Sequence, residues 1–142
     1  MRIADILRSK GSSVATVAPT VTLSDLIGEL ARYNVGALPV VDDDGRLIGI
    51  VSERDVVRQL HAHGPDVLHV QVAEFMTAGV ITCAPGDKVA ELARVMTDGR
   101  FRHLPVVENG TLAGIVSIGD LVKARIDLLE SEREQLQSYI AG

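Results

Sequence analysis

The chain has 142 residues, enough for one compact domain with a sizeable core. Hydrophobic residues make up 46% of it and the formal net charge is −5, which argues against general nucleic-acid binding through phosphate neutralisation. No apolar run nears the roughly 18 residues needed to span a membrane, and Met1-Arg2-Ile3-Ala4-Asp5 lacks a signal-peptide apolar stretch, so a cytoplasmic chain without a membrane partner is expected.

In chain order, Ile3, Ile6 and Leu7 predict a short N-terminal helix laid over the first half. A short apolar strand, Val14 to Ala18, ends at Pro19. Leu23, Leu26, Ile27 and Leu30 then carry the spacing of a one-faced amphipathic helix. Two β-rich runs follow, Leu38 to Val41 and Leu47 to Ser52, joined by the hairpin turn Asp42-Asp43-Asp44-Gly45. A further helix starts at Ser52, and Gly64-Pro65-Asp66 marks a joint.

Beyond the joint the same order recurs. Val80 to Ala84 is a strand ended by Pro85, and Val89, Leu92, Ala93 and Met96 mark a helix. Leu104-Pro105-Val106-Val107 repeats Leu38-Pro39-Val40-Val41, and the turn Glu108-Asn109-Gly110 is one residue shorter than its counterpart. Leu112 to Ser117 and another helix complete the copy. Each unit is thus β-α-β-β-α, and neither half buries enough surface to be comfortable alone. The expected architecture is one α+β domain, its halves packed about a pseudo-twofold axis. Its parts are residues 1–66, 67–126 and a helical tail, 127–142. Along the tail Ile126, Leu129, Leu136 and Ile140 fall near a 3-4 spacing interrupted by Arg133. That helix packs either on its own domain or across a twofold axis.

Gly49-Ile50-Val51-Ser52-Glu53-Arg54-Asp55 and Gly114-Ile115-Val116-Ser117-Ile118-Gly119-Asp120 share one frame. Ser-x-x-Asp reads as a helix cap, the hydroxyl accepting a free N–H and the acid reaching back. The same geometry offers an anion unpaired N–H groups and offers a ribose diol a carboxylate, with Gly114 and Gly119 admitting close backbone approach. Arg100, Arg102 and His103 precede the second Leu-Pro-Val-Val, where Arg suits bidentate phosphate binding. A solvated strand entrance accounts for Arg100 by itself. The matching first-copy positions, Gly36 and Ala37, carry no charge, which makes the second copy the expected stronger site.

Other signals carry less. His61, His63 and His69 lack the carboxylates and spacing of a metal set, so no metal is expected. Cys83, the single cysteine, excludes an internal disulfide and reads as an inert core thiol rather than a nucleophile. No P-loop, Rossmann glycine pattern or base–nucleophile set occurs, which points away from an enzyme.

The paired words Val35-Gly36-Ala37-Leu38-Pro39-Val40-Val41 with Gly49 to Asp55, and Phe101-Arg102-His103-Leu104-Pro105-Val106-Val107 with Gly114 to Asp120, resemble a tandem CBS-domain pair, or Bateman module. The likeness covers about Ile3 to Ile126. The terminus Tyr139-Ile140-Ala141-Gly142 is similar to that of small stand-alone bacterial members. The resemblance implies a regulatory homodimer, acting on an unknown effector, that binds AMP, ADP, ATP, NAD(H) or S-adenosylmethionine between repeats as ligands rather than permanent cofactors. Carried onto this chain, one cleft uses Asp120 for ribose and Ser117, Arg102 and His103 for phosphate. Ile118 and Gly119 lie beside them, with Thr16, Val17 and Pro19 opposite. The other cleft uses Asp55, Ser52 and Arg54, with Thr82, Cys83 and Pro85 opposite. A ligand-free dimerisation module and a nucleotide-processing enzyme are the competing readings.

Overall fold

The computed structural model describes residues 1–11 and 13–141. In chain order the elements are α1 (Ile3–Lys10), α2 (Leu23–Tyr33), β1 (Ala37–Val41), β2 (Leu47–Ser52) and α3 (Glu53–His63). Two 3-10 turns, Pro65–His69 and Val72–Glu74, lead to α4 (Val89–Gly99), β3 (His103–Glu108), β4 (Thr111–Ser117) and α5 (Ile118–Ala141). Among the described residues no helix is long and apolar enough to cross a membrane.

Both hairpins form around their predicted turns, where Gly45 and Gly110 take the same left-handed φ of 78°. Leu38 pairs opposite Val51 and Leu104 opposite Val116, and in each hairpin the register shifts after the first valine of Pro-Val-Val. Such bulges increase the local twist of the hairpin. The amphipathic helices bury Leu23, Leu26 and Leu30 on α2, and Val89, Leu92 and Met96 on α4. Ile27 departs from its pattern and is 38% exposed.

The two expected leading strands shrink to one residue each. Val17 bridges Val40 and Cys83 bridges Val106, both in parallel. Val17 N–H donates to Pro39 O and Val17 O accepts from Val41 N–H; Cys83 repeats this with Pro105 and Val107. The residues on either side do not extend these bridges into strands.

Two separate cores result, and each is completed by chain from outside its own repeat. Val67 and Val72, from the segment leading into the second repeat, join Val17, Leu26, Leu38 and Val51 in the first core. Ile3 and Ile6 of α1 join Cys83, Met96, Leu104 and Val116 in the second. The N-terminal helix therefore covers the second repeat, not the first. Main-chain bonds give the reason and repeat across the pseudo-twofold. Ile3 N–H donates to Asp87 O as Val72 N–H does to Val21 O, and Ala4 N–H donates to Pro85 O as Ala73 N–H does to Pro19 O. This exchange ties the halves together, because removing either leading segment opens the other repeat's core.

The tail adds no separate element. From Ile118 to Ala141 it is one 24-residue helix that buries Leu121 and Ala124 at its start. Gly142, the last residue of the Tyr-Ile-x-Gly terminus, lies outside the described residues.

Candidate functional site

Both Ser-x-x-Asp motifs form the cap that their spacing predicts. Ser52 N–H donates to Asp55 Oδ2 at 2.8 Å, and Asp55 N–H donates to Ser52 Oγ at 3.3 Å. In the second copy Ser117 N–H donates to Asp120 Oδ2 at 2.8 Å, and Asp120 N–H to Ser117 Oγ at 3.1 Å. Capping commits only Oδ2. The other oxygen of Asp55 makes no hydrogen bond among the described residues. The cap and ligand readings are thus compatible, since half of the carboxylate is left over.

The two motifs then diverge. Lys10, the last residue of α1, donates to Asp120 Oδ2 at 2.7 Å and to Ile115 O at 2.8 Å. Burial alone would raise the Asp120 pKa, but the Lys10 and Ser117 hydrogen bonds outweigh it and hold the carboxyl below its ordinary range. Around the first motif the leading chain runs extended instead. Thr77 and Ile50 exchange main-chain hydrogen bonds, each at 3.0 Å. No cation closes on Asp55 among the described residues.

A cavity of about 640 Å³ opens on that side. The first repeat contributes Gly36, Ala37, Ser52, Asp55 and the α3 side chains Glu53, Arg54 and Arg58. Thr77, Gly79, Val80 and Ile81 form the wall between repeats. The second repeat brings Arg100, Phe101, Arg102 and His103, together with Ser117, Ile118 and Gly119. Four arginines and two acidic residues thus line the same space. Gly36 has a specific part, since a Cβ there would stand 3.4 Å from His103 Cε1 and 3.8 Å from Glu53 Oε2. These are ordinary van der Waals distances, so Gly36 marks where the imidazole comes up against the first repeat. Burial, with Lys10 and Arg102 adding to it, lowers the His103 pKa against the opposing pull of Asp120 and Glu53.

The expected opposite walls are displaced. Cys83 is buried in the second core, its Sγ 3.7 Å from Pro105 O, and burial pushes the thiol up to about 12. Thr82, Cys83 and Pro85 lie outside the cavity, whose wall is the chain just before them, Thr77 to Ile81. Thr16 and Val17 line a separate hollow with Asp25 and Glu29, and Pro19 offers its carbonyl to Ala73. None of the three meets Ser117 or the second-repeat cations in the main cavity. The physical reason is the bridge in each copy, which turns Val17 and Cys83 into their own cores. Gly114 also departs from expectation. A Cβ on it would stand 2.8 Å from Leu7 Cδ2, so it admits α1 and not a ligand.

Two cavity cations were not expected there, Arg58 and Arg100. Arg58 follows Arg54 by one helical turn, a spacing that places both on one face of α3. Arg100 ends α4 in the left-handed region, at φ 57° and ψ 34°, where its N–H caps Met96 O. Asn34 ends α2 in the same way and is an ordinary occupant of that region; a long Arg is not.

The CBS domain family matches residues 3–62 and 72–127, and the chain belongs to that family. It is similar to a crystal structure of a CBS-domain containing protein from Agrobacterium tumefaciens, with 44% identity and a TM-score of 0.86 over 88% of this chain and 99% of that one. It is 35% identical to the mitochondrial CBS domain-containing protein CBSX3 of Arabidopsis thaliana, over 99% of this chain and 72% of that protein. It is also similar to CBSX2, crystallised in complex with AMP, at 27% identity and a TM-score of 0.75 over 89% and 97% of the two chains.

Proposed function

We propose that the protein is a non-enzymatic regulatory module that binds an adenine nucleotide in the cavity between its repeats. The observation that carries this reading is the cavity itself, lined by Arg54, Arg58, Arg100 and Arg102 together with Asp55, whose second carboxylate oxygen the cap leaves unengaged. Guanidinium groups pair with phosphate bidentately, and a carboxylate accepts two bonds from a ribose diol. Val80 and Ile81 supply the apolar wall for a purine. The complex of CBSX2 with AMP supports the ligand class. In this reading Asp55 anchors the nucleotide, Arg102 and His103 approach its phosphate from the second repeat, and AMP, ADP, ATP and NAD(H) all fit the charge. S-adenosylmethionine brings a sulfonium to four arginines and is disfavoured.

AMP has about 23 heavy atoms, and ~0.3 kcal/mol per atom corresponds to a Kd of order 10 μM. That range suits sensing of a cellular pool rather than retention of a fixed cofactor. The protein acts as a homodimer through exposed aliphatic side chains on its helices, among them Val57 and Val122 at matching positions of the two repeats. Titration calorimetry of nucleotide-free protein with AMP, ATP, NADH and S-adenosylmethionine tests the reading. Saturable heat with the first three, with affinity about tenfold or more weaker in Asp55→Ala, is expected. No heat and no thermal shift at millimolar nucleotide would leave a dimerisation module, and conversion of the nucleotide to product would make it an enzyme.

A further inference from the structure

Helix α5 carries two apolar faces, and its own domain covers only one. Leu121 and Ala124 are buried in the second core, and Leu128 is half-buried beyond them. Rotated from that face runs a second stripe, Val122, Ile126, Leu129, Leu136 and Ile140, whose members are 48% to 82% exposed. Their spacing, with Arg133 included, alternates four and three residues along the helix, which is the seam of a coiled coil.

We infer that the α5 helices of two copies of this chain pair in parallel and in register as a short coiled coil. Charge selects the partner and its direction. Arg125 and Glu130 flank the seam and make no ion pair within the chain among the described residues. In the parallel pairing Arg125 of each copy faces Glu130 of the other, so the attraction occurs twice. Arg133 then meets Arg133 of the second copy in the seam, and Glu132 of each copy lies beside the other's Arg133 and offsets that repulsion. The antiparallel arrangement that covers the whole stripe instead sets Glu130 against Glu130 and Glu132 against Glu132. A shift by one heptad would seat Arg133 against isoleucine, so this one polar seam position fixes the register. The seam spans under three heptads and is marginal alone. It therefore rests on the dimer of the proposed function, whose other contacts hold the two helices at high local concentration.

The test uses the full chain. Leu136→Cys, in the seam, is expected to form a disulfide-linked dimer with itself under mild oxidation, whereas Ser131→Cys, on the far side of the helix, is not. Leu136→Glu is expected to raise the dimer dissociation constant at least tenfold by sedimentation, with unchanged nucleotide binding per chain. A dimer in which Leu136→Cys links only when mixed with Ile126→Cys overturns the parallel direction. One in which Leu136→Cys and Ser131→Cys link equally, or neither links, overturns the coiled coil and leaves the dimer standing. A wild-type chain that stays monomeric at tens of micromolar overturns both.

Discussion

The Lys10 ammonium stands 2.7 Å from Asp120 and closes the second motif, while Asp55, its counterpart, faces an open cavity. Pseudo-symmetry is broken by the length of one helix. Leu7 and Met76 play matched parts against Gly114 and Gly49, but α1 continues helically to Lys10 whereas the chain after Met76 extends. Lys10→Met should release Asp120. Calorimetry is expected to show a second, weaker nucleotide equivalent per chain. In the wild type, Asp120→Ala is expected to change affinity by about twofold or less, and Asp55→Ala by about tenfold or more, the scale of one charge-assisted hydrogen bond. Unchanged stoichiometry in Lys10→Met would mean that Lys10 does not control access.

The same ion pair contributes to stability in acid. The folded Asp120 carboxyl sits below its ordinary value of 3.8, so its contribution is full above that value. It is lost as pH falls through the lowered folded pKa. Both partners are partly exposed, which limits the pair to about 1 kcal/mol or less. Urea denaturation at pH 6 and pH 3 should show wild type losing more stability than Asp120→Asn, with the two converging at the lower pH.

His103 yields a separate pH signature. Its pKa lies below 6.5, so the free protein carries a neutral imidazole at pH 7 between Arg102 and Lys10. A phosphate placed beside it would favour the charged form and raise that pKa. Binding then takes up a proton, and affinity is expected to rise as pH falls from 7 toward the free-state pKa. The phosphate group's own second ionisation works against this, so the reading is the difference between wild type and His103→Gln. Equal pH slopes for the two proteins would remove His103 from the phosphate site.

Arg100 predicts a trade between stability and binding. A bulky residue in the left-handed region costs roughly 1 kcal/mol, and glycine there does not. Arg100→Gly should therefore raise the unfolding free energy by up to about that amount while weakening AMP binding severalfold. Thermal melts with and without AMP measure both. A variant that is more stable and binds as well as wild type would return Arg100 to the role of a solvated strand entrance.

What the sequence made legible is what local chemistry determines. The hairpins follow from Gly45 and Gly110 in their turns, and the caps from Ser52 and Ser117 three residues before an acid. The duplication then paired the helices and hairpins into two matching units of one family. The errors concern partners far apart in the chain. Nothing in Ile3-Ala4-Asp5-Ile6-Leu7 says which half it covers, because either core would accept an Ile face; the main-chain bonds to Pro85 and Asp87 decide it. Lys10 lies 110 positions from Asp120, so no spacing announces their contact. Cys83 and Val17 sit in five-residue apolar runs that look like strands, yet each makes only a single parallel bridge to the neighbouring hairpin.

The two motif glycines give the last prediction, and they are not equivalent. A Cβ on Gly114 would meet only the tip of Leu7, at 2.8 Å from Cδ2. A Cβ on Gly49 would meet Met76 Sδ at 2.5 Å and also Thr77 O at 3.1 Å, a main-chain atom tied to Ile50. A leucine tip can rotate away, whereas the Thr77 carbonyl cannot move without breaking its bond to Ile50 N–H. Gly114→Ala is therefore expected to cost about 1 kcal/mol and Gly49→Ala about 2–3 kcal/mol, the range of core overpacking. Leu7→Ala should recover most of the Gly114→Ala loss, and Met76→Ala should recover only part of the Gly49→Ala loss. Gly49→Ala should also reduce nucleotide affinity, because Thr77 to Ile81 form the cavity wall that the shift would displace. Equal costs for the two alanines in denaturant titration would show that the extended pairing at Thr77 does not hold that wall in place.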